Sequence, residues 1–221
     1  MLLMELQNRI VENKDWATIL FVCCLLFVII TKSAFENRFH DFKNLLISDR
    51  YIKIYKDYSH LMTWFTFLLF IVQIFSFGFF IQYLFYYFGY IEKWDWVFFI
   101  KIITILSFFI LAKYLIEKII ATAFDIEEFA EQYNMLKVSY RNYIALMLLP
   151  FTIILFYNEN ITFNFLYIML AIITLSNFLI YLKAIKIFQK TIIGKLFYFI
   201  LYLCTLEIAP YYFMYFWFTR S

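Results

Sequence analysis

The sequence predicts an all-α, polytopic membrane protein: a bundle of six transmembrane helices forming one domain over residues 1–221, with amphipathic helices on its cytoplasmic face. Composition is the first observation behind this. Of the 221 residues, 65% are apolar and 16% are charged, against about 45–50% and about 25% in soluble domains. Segregation of charge is the second. Six apolar stretches, at 16–31, 61–88, 97–116, 142–157, 163–182 and 196–218, contain only Lys101, Lys113 and Glu207 as charged residues. An ionised side chain in lipid costs several kcal/mol or must find a partner, so charge is excluded from spanning helices. The third is the distribution of lysine and arginine between those stretches. Segments 32–60, 117–141 and 183–195 carry 6, 3 and 4 of them, whereas the alternate segments carry 2, 1, 0 and 1. Six spans place every basic segment on one side, as the positive-inside rule requires, and leave both termini outside.

Taken in order, the first span follows Trp16 and is expected to stay as an anchor, because no basic n-region with a small-residue cleavage site precedes it. In the loop after it, Phe35, Phe39, Phe42 and Leu46 recur at helical spacing beside Arg38 and Lys43, the pattern of an amphipathic helix in the inner leaflet. Lys53 and Lys56 follow in a basic, tyrosine-bearing run suited to anionic headgroups. The second and third spans are uninterrupted apart from Lys101, which can snorkel outward or reach inward, and Lys113, placed to snorkel. Asp125 and Glu128 have capping-box spacing, so a cytoplasmic helix is expected to start there. Its apolar stripe is Ile126, Phe129, Tyr133, Leu136 and Tyr140, and Glu127, Glu128 and Glu131 form an acidic face. The fourth span, 142–157, is short and contains Pro150, which neighbouring helices can accommodate in a membrane. The fifth and sixth close the chain. Trp16, Trp94, Trp96 and Trp217 fall at the outer boundary and Trp64 at the inner one, as in an aromatic belt.

Several function classes are excluded by composition or motif. Low hydrophobicity, a cysteine framework and a basic nucleic-acid face are all missing. Cys23, Cys24 and Cys204 sit inside apolar stretches and act as small hydrophobes. His40 and His60, the two histidines, share one loop without metal-site spacing, and no Walker A, GxGxxG or GxSxG motif occurs. No cofactor, no metal and no enzymatic activity are therefore expected.

The polar residues inside the spans are the candidates for function. Glu207 lies eleven residues into the last span from its inner end, about 16 Å along a helix and so near the bilayer midplane. Pro210 follows and frees the carbonyl of Leu206 beside it. Lys101 is the natural partner for that carboxyl, Gln73 shares its depth, and Asn177 lies nearer the inside.

The closing segment Leu201-Tyr-Leu-Cys-Thr-Leu-Glu-Ile-Ala-Pro210, the opening Glu12-Asn-Lys-Asp-Trp16 and the Phe39…Tyr51 loop resemble a domain-of-unknown-function family of integral membrane proteins from Bacteroidota. The resemblance covers nearly the whole chain and implies an inner-membrane location and service to an envelope process, with no activity attached. The expected role is thus a non-enzymatic subunit or scaffold of a cell-envelope complex, linked to transport or secretion and holding a protein partner in the bilayer. Two alternatives stay open. One is a small proton-coupled transporter that titrates Glu207, and the other is a lipid-modifying enzyme.

Overall fold

A computed structural model describes residues 14–45, 50–55, 63–123, 127–158, 166–179 and 182. Seven helices account for nearly all of them. They are α1 (Asp15–Ala34), α2 (Glu36–Lys43), α3 (Arg50–Tyr55), α4 (Trp64–Tyr87), α5 (Trp96–Ala123) and α6 (Glu127–Tyr157), then α7 (Leu166–Leu179). Four of these, α1, α4, α5 and the Ala130–Tyr157 part of α6, are long and apolar enough to cross a membrane. They coincide with the first four expected spans. α7 is a shorter apolar helix within the fifth expected span, and the sixth, with Glu207, Pro210 and Trp217, lies outside the described residues, as do Cys204, His60 and Lys56.

Helix boundaries follow local chemistry. Thr63 caps α4 by accepting from the Thr66 amide at 3.4 Å, and Asp95 caps α5 by accepting from the Phe98 amide at 3.0 Å. Each satisfies a donor that the first helical turn would otherwise leave unpaired. At the other end of α4, Gly89 adopts φ +78°. Its amide bonds the Tyr86 carbonyl and the Tyr90 amide bonds the Phe85 carbonyl, which is the paired pattern of a Schellman stop. The Phe85 and Tyr90 rings pack across it at 6.1 Å.

Central to the bundle, α4 packs against α1, α5 and α6. Ring contacts fix the directions. Phe79 of α4 stacks on Phe21 of α1 at 4.0 Å and on Phe99 of α5 at 4.4 Å, and meets Phe156 of α6 edge-on at 5.0 Å. Phe21 and Phe99 are near the starts of their helices, so α1 and α5 run antiparallel to α4, whereas Phe156 ends α6, which runs parallel to it. Gly78 allows the close approach of α5: a Cβ there would stand 3.2 Å from Ile103 and 3.4 Å from Phe99. The Ser76 hydroxyl donates to the Ala145 carbonyl at 2.9 Å and sets the register of α4 on α6. Two cores result. One, around Phe79, fills the end of the bundle that bears Trp94. The other gathers Phe42, Leu45, Tyr51, Phe65, Tyr133, Leu136, Tyr140 and Tyr143 at the opposite, basic end.

Two departures from the sequence reading follow from that second core. The expected acidic helix and the span at 142–157 are one continuous helix, α6, of 31 residues including Pro150. The tyrosine and leucine stripe of its first half is buried, so no change of direction is needed before the span. The aromatic stripe of the first loop likewise turns to protein: Phe42 is 1% exposed, against Tyr51, Phe65 and Tyr143. Of the belt tryptophans, Trp64 and Trp96 are 73% and 55% exposed. Trp16 and Trp94 turn inward, onto Phe99 at 5.0 Å and Phe156 at 5.6 Å.

Candidate functional site

The basic end of the bundle holds the densest polar chemistry among the described residues. Glu117, on α5, lies 21 residues past Trp96, and Lys137, on α6, lies 20 residues before Tyr157. Both spacings equal about 30 Å of helix, so the two antiparallel helices bring these residues to one level. Their side chains meet at 2.8 Å, Nζ to Oε1, and are only 7% and 4% exposed. The ammonium also sits 4.7 Å over the Tyr133 ring. One turn earlier, Asn134 is 5% exposed and its Oδ1 has no hydrogen-bond partner. Beyond the pair the helices close over Ala121 and Ala130, side chains small enough to let them approach. The result is a helical hairpin that continues past the ion pair, with Glu127 and Glu131 exposed on it.

Beside it, Arg38 of α2 ties the first loop to the bundle. Its Nε donates to the Tyr51 hydroxyl at 3.3 Å and its Nη1 to Thr63 Oγ1 at 2.9 Å. The guanidinium lies 4.6 Å from the Phe65 ring centre, 4.9 Å from that of Tyr55 and 5.9 Å from that of Tyr51. These distances are within the range of cation–π attraction. Tyr140 adds a further tie by donating to the Leu45 carbonyl at 3.3 Å.

At the Trp94 end the polar groups do similar work. Gln82 is fully buried, and its Nε2 donates to the carbonyls of Lys93 and Asp95 at 3.2 and 2.9 Å. Lys93, itself 9% exposed, reaches the Asn158 carbonyl at 3.2 Å past the rings of Tyr83, Tyr86 and Trp94. These contacts lock the turn between α4 and α5 to the end of α6.

The residues singled out from sequence are placed as follows. Gln73 is 2% exposed, one turn from Ser76 on α4. Lys101 stands exposed on α5. Asn177 donates to the Ile173 carbonyl of its own helix at 2.9 Å. Pro150 is inside α6, where Thr152 donates to the Leu149 carbonyl at 2.7 Å. Lys43 is exposed on α2, Lys53 is in α3 and Glu128 in α6. Glu207, Pro210 and Lys56 are outside the described residues. Among the described residues, no group of His, Cys, Asp and Glu could hold a metal ion.

Sequence reasoning missed Glu117 and Lys137, which fell in the cytoplasmic segment 117–141 between two expected spans. A signal existed: Lys137 is four residues past Tyr133, on the side of the helix that also carries Ala130 and Tyr140. Gln82, Lys93 and Asp95 were missed too, and Asp95 just before a span has the form of an N-cap.

Comparison with curated proteins gave no match, and comparison with solved structures gave none. A family model matches residues 17–218, nearly the whole chain, and its description is a domain of unknown function, DUF4271. The chain belongs to that family.

Proposed function

We propose that the chain is a multi-pass protein of a bacterial inner membrane and a non-enzymatic subunit or scaffold of a cell-envelope complex. Four helices of 20, 24, 28 and 28 residues with apolar composition support the membrane part of this reading. The positive-inside rule orients the basic end toward the cytoplasm. One observation carries the scaffold part. Among the described residues, several buried polar side chains tie the bundle together: Ser76 to Ala145, Gln82 to the α4–α5 turn, Lys93 to Asn158, Glu117 to Lys137. A transport route needs polar groups facing a passage, and an enzyme needs a nucleophile, acid or base free to react. Groups spent on holding the bundle together serve rigidity.

The α5–α6 hairpin, which continues past its ion pair and carries exposed Glu127 and Glu131, is the natural docking element for a basic segment of a partner. Crosslinking in intact cells, purification in mild detergent and mass spectrometry test this. A stoichiometric partner crosslinked through the hairpin is expected. A protein that remains solitary, with full monodispersity and no crosslink, overturns the scaffold reading.

A further inference from the structure

Arg38 differs from Lys137 and Lys93 in the company it keeps. Lys137 has Glu117 as a counter-ion, and Lys93 reaches the carbonyl that ends α6. Arg38 bonds two neutral hydroxyls, of Tyr51 and Thr63, and three aromatic rings. Among the described residues it has no carboxylate partner, although Glu36 and Asp41 share its helix. A guanidinium has five N–H donors. Two are used here, so three remain for a ligand, together with a positive charge that no carboxylate among the described residues pairs with.

Position and neighbours narrow the ligand. Thr63 caps the first turn of α4, next to Trp64, which is 73% exposed. This is where a helix of 24 residues, about 36 Å, would enter the polar boundary of a bilayer. Lys32, in the last turn of α1, and Lys43, in the last turn of α2, are both exposed and flank Arg38 in the sequence. A planar fork of donors held by aromatic rings suits phosphate oxygens, and Arg binds such oxygens in a paired geometry that Lys lacks. Two added lysines favour a ligand with net negative charge over a zwitterionic one.

We propose that Arg38, held by Tyr51, Thr63 and Phe65, binds the phosphate of an anionic phospholipid headgroup in the leaflet at the basic end. The proposal rests on the membrane reading and is independent of the scaffold reading. Ordering of the first loop against α4 and α6 is then coupled to lipid charge, because the residues that hold the guanidinium are the ones that hold the loop.

Native mass spectrometry and thermal unfolding of the full chain in neutral detergent test this, with phosphatidylglycerol, phosphatidylcholine and inorganic phosphate added separately. Phosphatidylglycerol is expected to bind and to raise the unfolding temperature. Phosphatidylcholine and inorganic phosphate at equal concentration should do neither. Arg38→Gln is expected to weaken phosphatidylglycerol binding about tenfold, the scale of one charge-assisted bond, and Arg38→Lys to restore only part of it. Lys43→Gln, which leaves the contacts of Arg38 intact, should weaken binding by a smaller factor. Lys101→Gln, on the exposed face of α5, should leave it unchanged. Equal binding of the two lipids by the unaltered protein overturns the proposal without any variant. Equal stabilisation by inorganic phosphate overturns the lipid as its source, and unchanged lipid binding by a folded Arg38→Gln overturns the residue. Release of the chain from membranes by alkaline carbonate would instead refute the membrane reading itself.

Discussion

Lys137 Nζ and Glu117 Oε1 lie 2.8 Å apart between two antiparallel helices, with both side chains almost fully removed from solvent. A pair so placed is costly to break from one side, because the remaining charge is left buried and alone. Glu117→Leu and Lys137→Met are each expected to destabilise the bundle by about 3–5 kcal/mol. The double substitution Glu117→Leu with Lys137→Met removes both charges and should recover most of that loss. Thermal unfolding of the four proteins in one detergent forms the cycle. Additive losses in the double variant would show that the pair contributes no coupling.

Phe79 is fully buried and touches rings from α1, α5 and α6 together. Phe79→Ala opens a cavity where four helices converge, at an expected cost of about 3–5 kcal/mol. Phe108, 74% exposed on α5, is the control. Its truncation should change the unfolding temperature little, since lipid or detergent replaces what it touches. Comparable losses at the two positions would contradict the packing described for Phe79.

Gly89 is set by backbone alone. Its φ of +78° is left-handed, and nothing lies within 4 Å of where a Cβ would be. Gly89→Ala should therefore cost only the conformational term, about 1–2 kcal/mol, and Gly89→Asn less, because Asn tolerates that region. Gly89→Val should cost the most. Retention of full stability by Gly89→Val would mean that the stop after α4 is not needed to position α5.

The four long helices were legible in the sequence because lipid excludes charge, and exclusion leaves a mark at every position of a span. Helix ends were harder to read. The third span was expected to end at 116, before Glu117 and Lys118, yet Glu117 is balanced by Lys137, twenty residues on. Nothing local marks that pairing, since it depends on α5 and α6 returning antiparallel at one level. The stripe through Tyr133, Leu136 and Tyr140 was visible, but its partner was not. Period and polarity show that a helix has an apolar face, not whether lipid or Phe42 and Tyr51 will cover it. Arg38 was singled out as a cation beside aromatic residues. Its bond to Thr63, twenty-five residues away, required the fold.

Lys101 and Glu207 separate the scaffold reading from the transporter alternative. Proton coupling requires a titratable carboxyl, and a Lys101 partner would have to turn toward it. Lys101 is exposed on α5, and Gln73 is buried on α4. Lys101→Gln is accordingly expected to leave both complex assembly and stability unchanged. Glu207→Gln preserves shape and most hydrogen bonding while removing titration. On the scaffold reading it should keep assembly at normal protein level, measured by crosslinking to the partner through the hairpin. A transporter would lose proton-linked uptake in vesicles with the same substitution, at unchanged abundance and assembly. The double variant completes the comparison: equal defects in both singles, not deepened in the double, would reveal a coupled pair and reverse the expectation for Lys101.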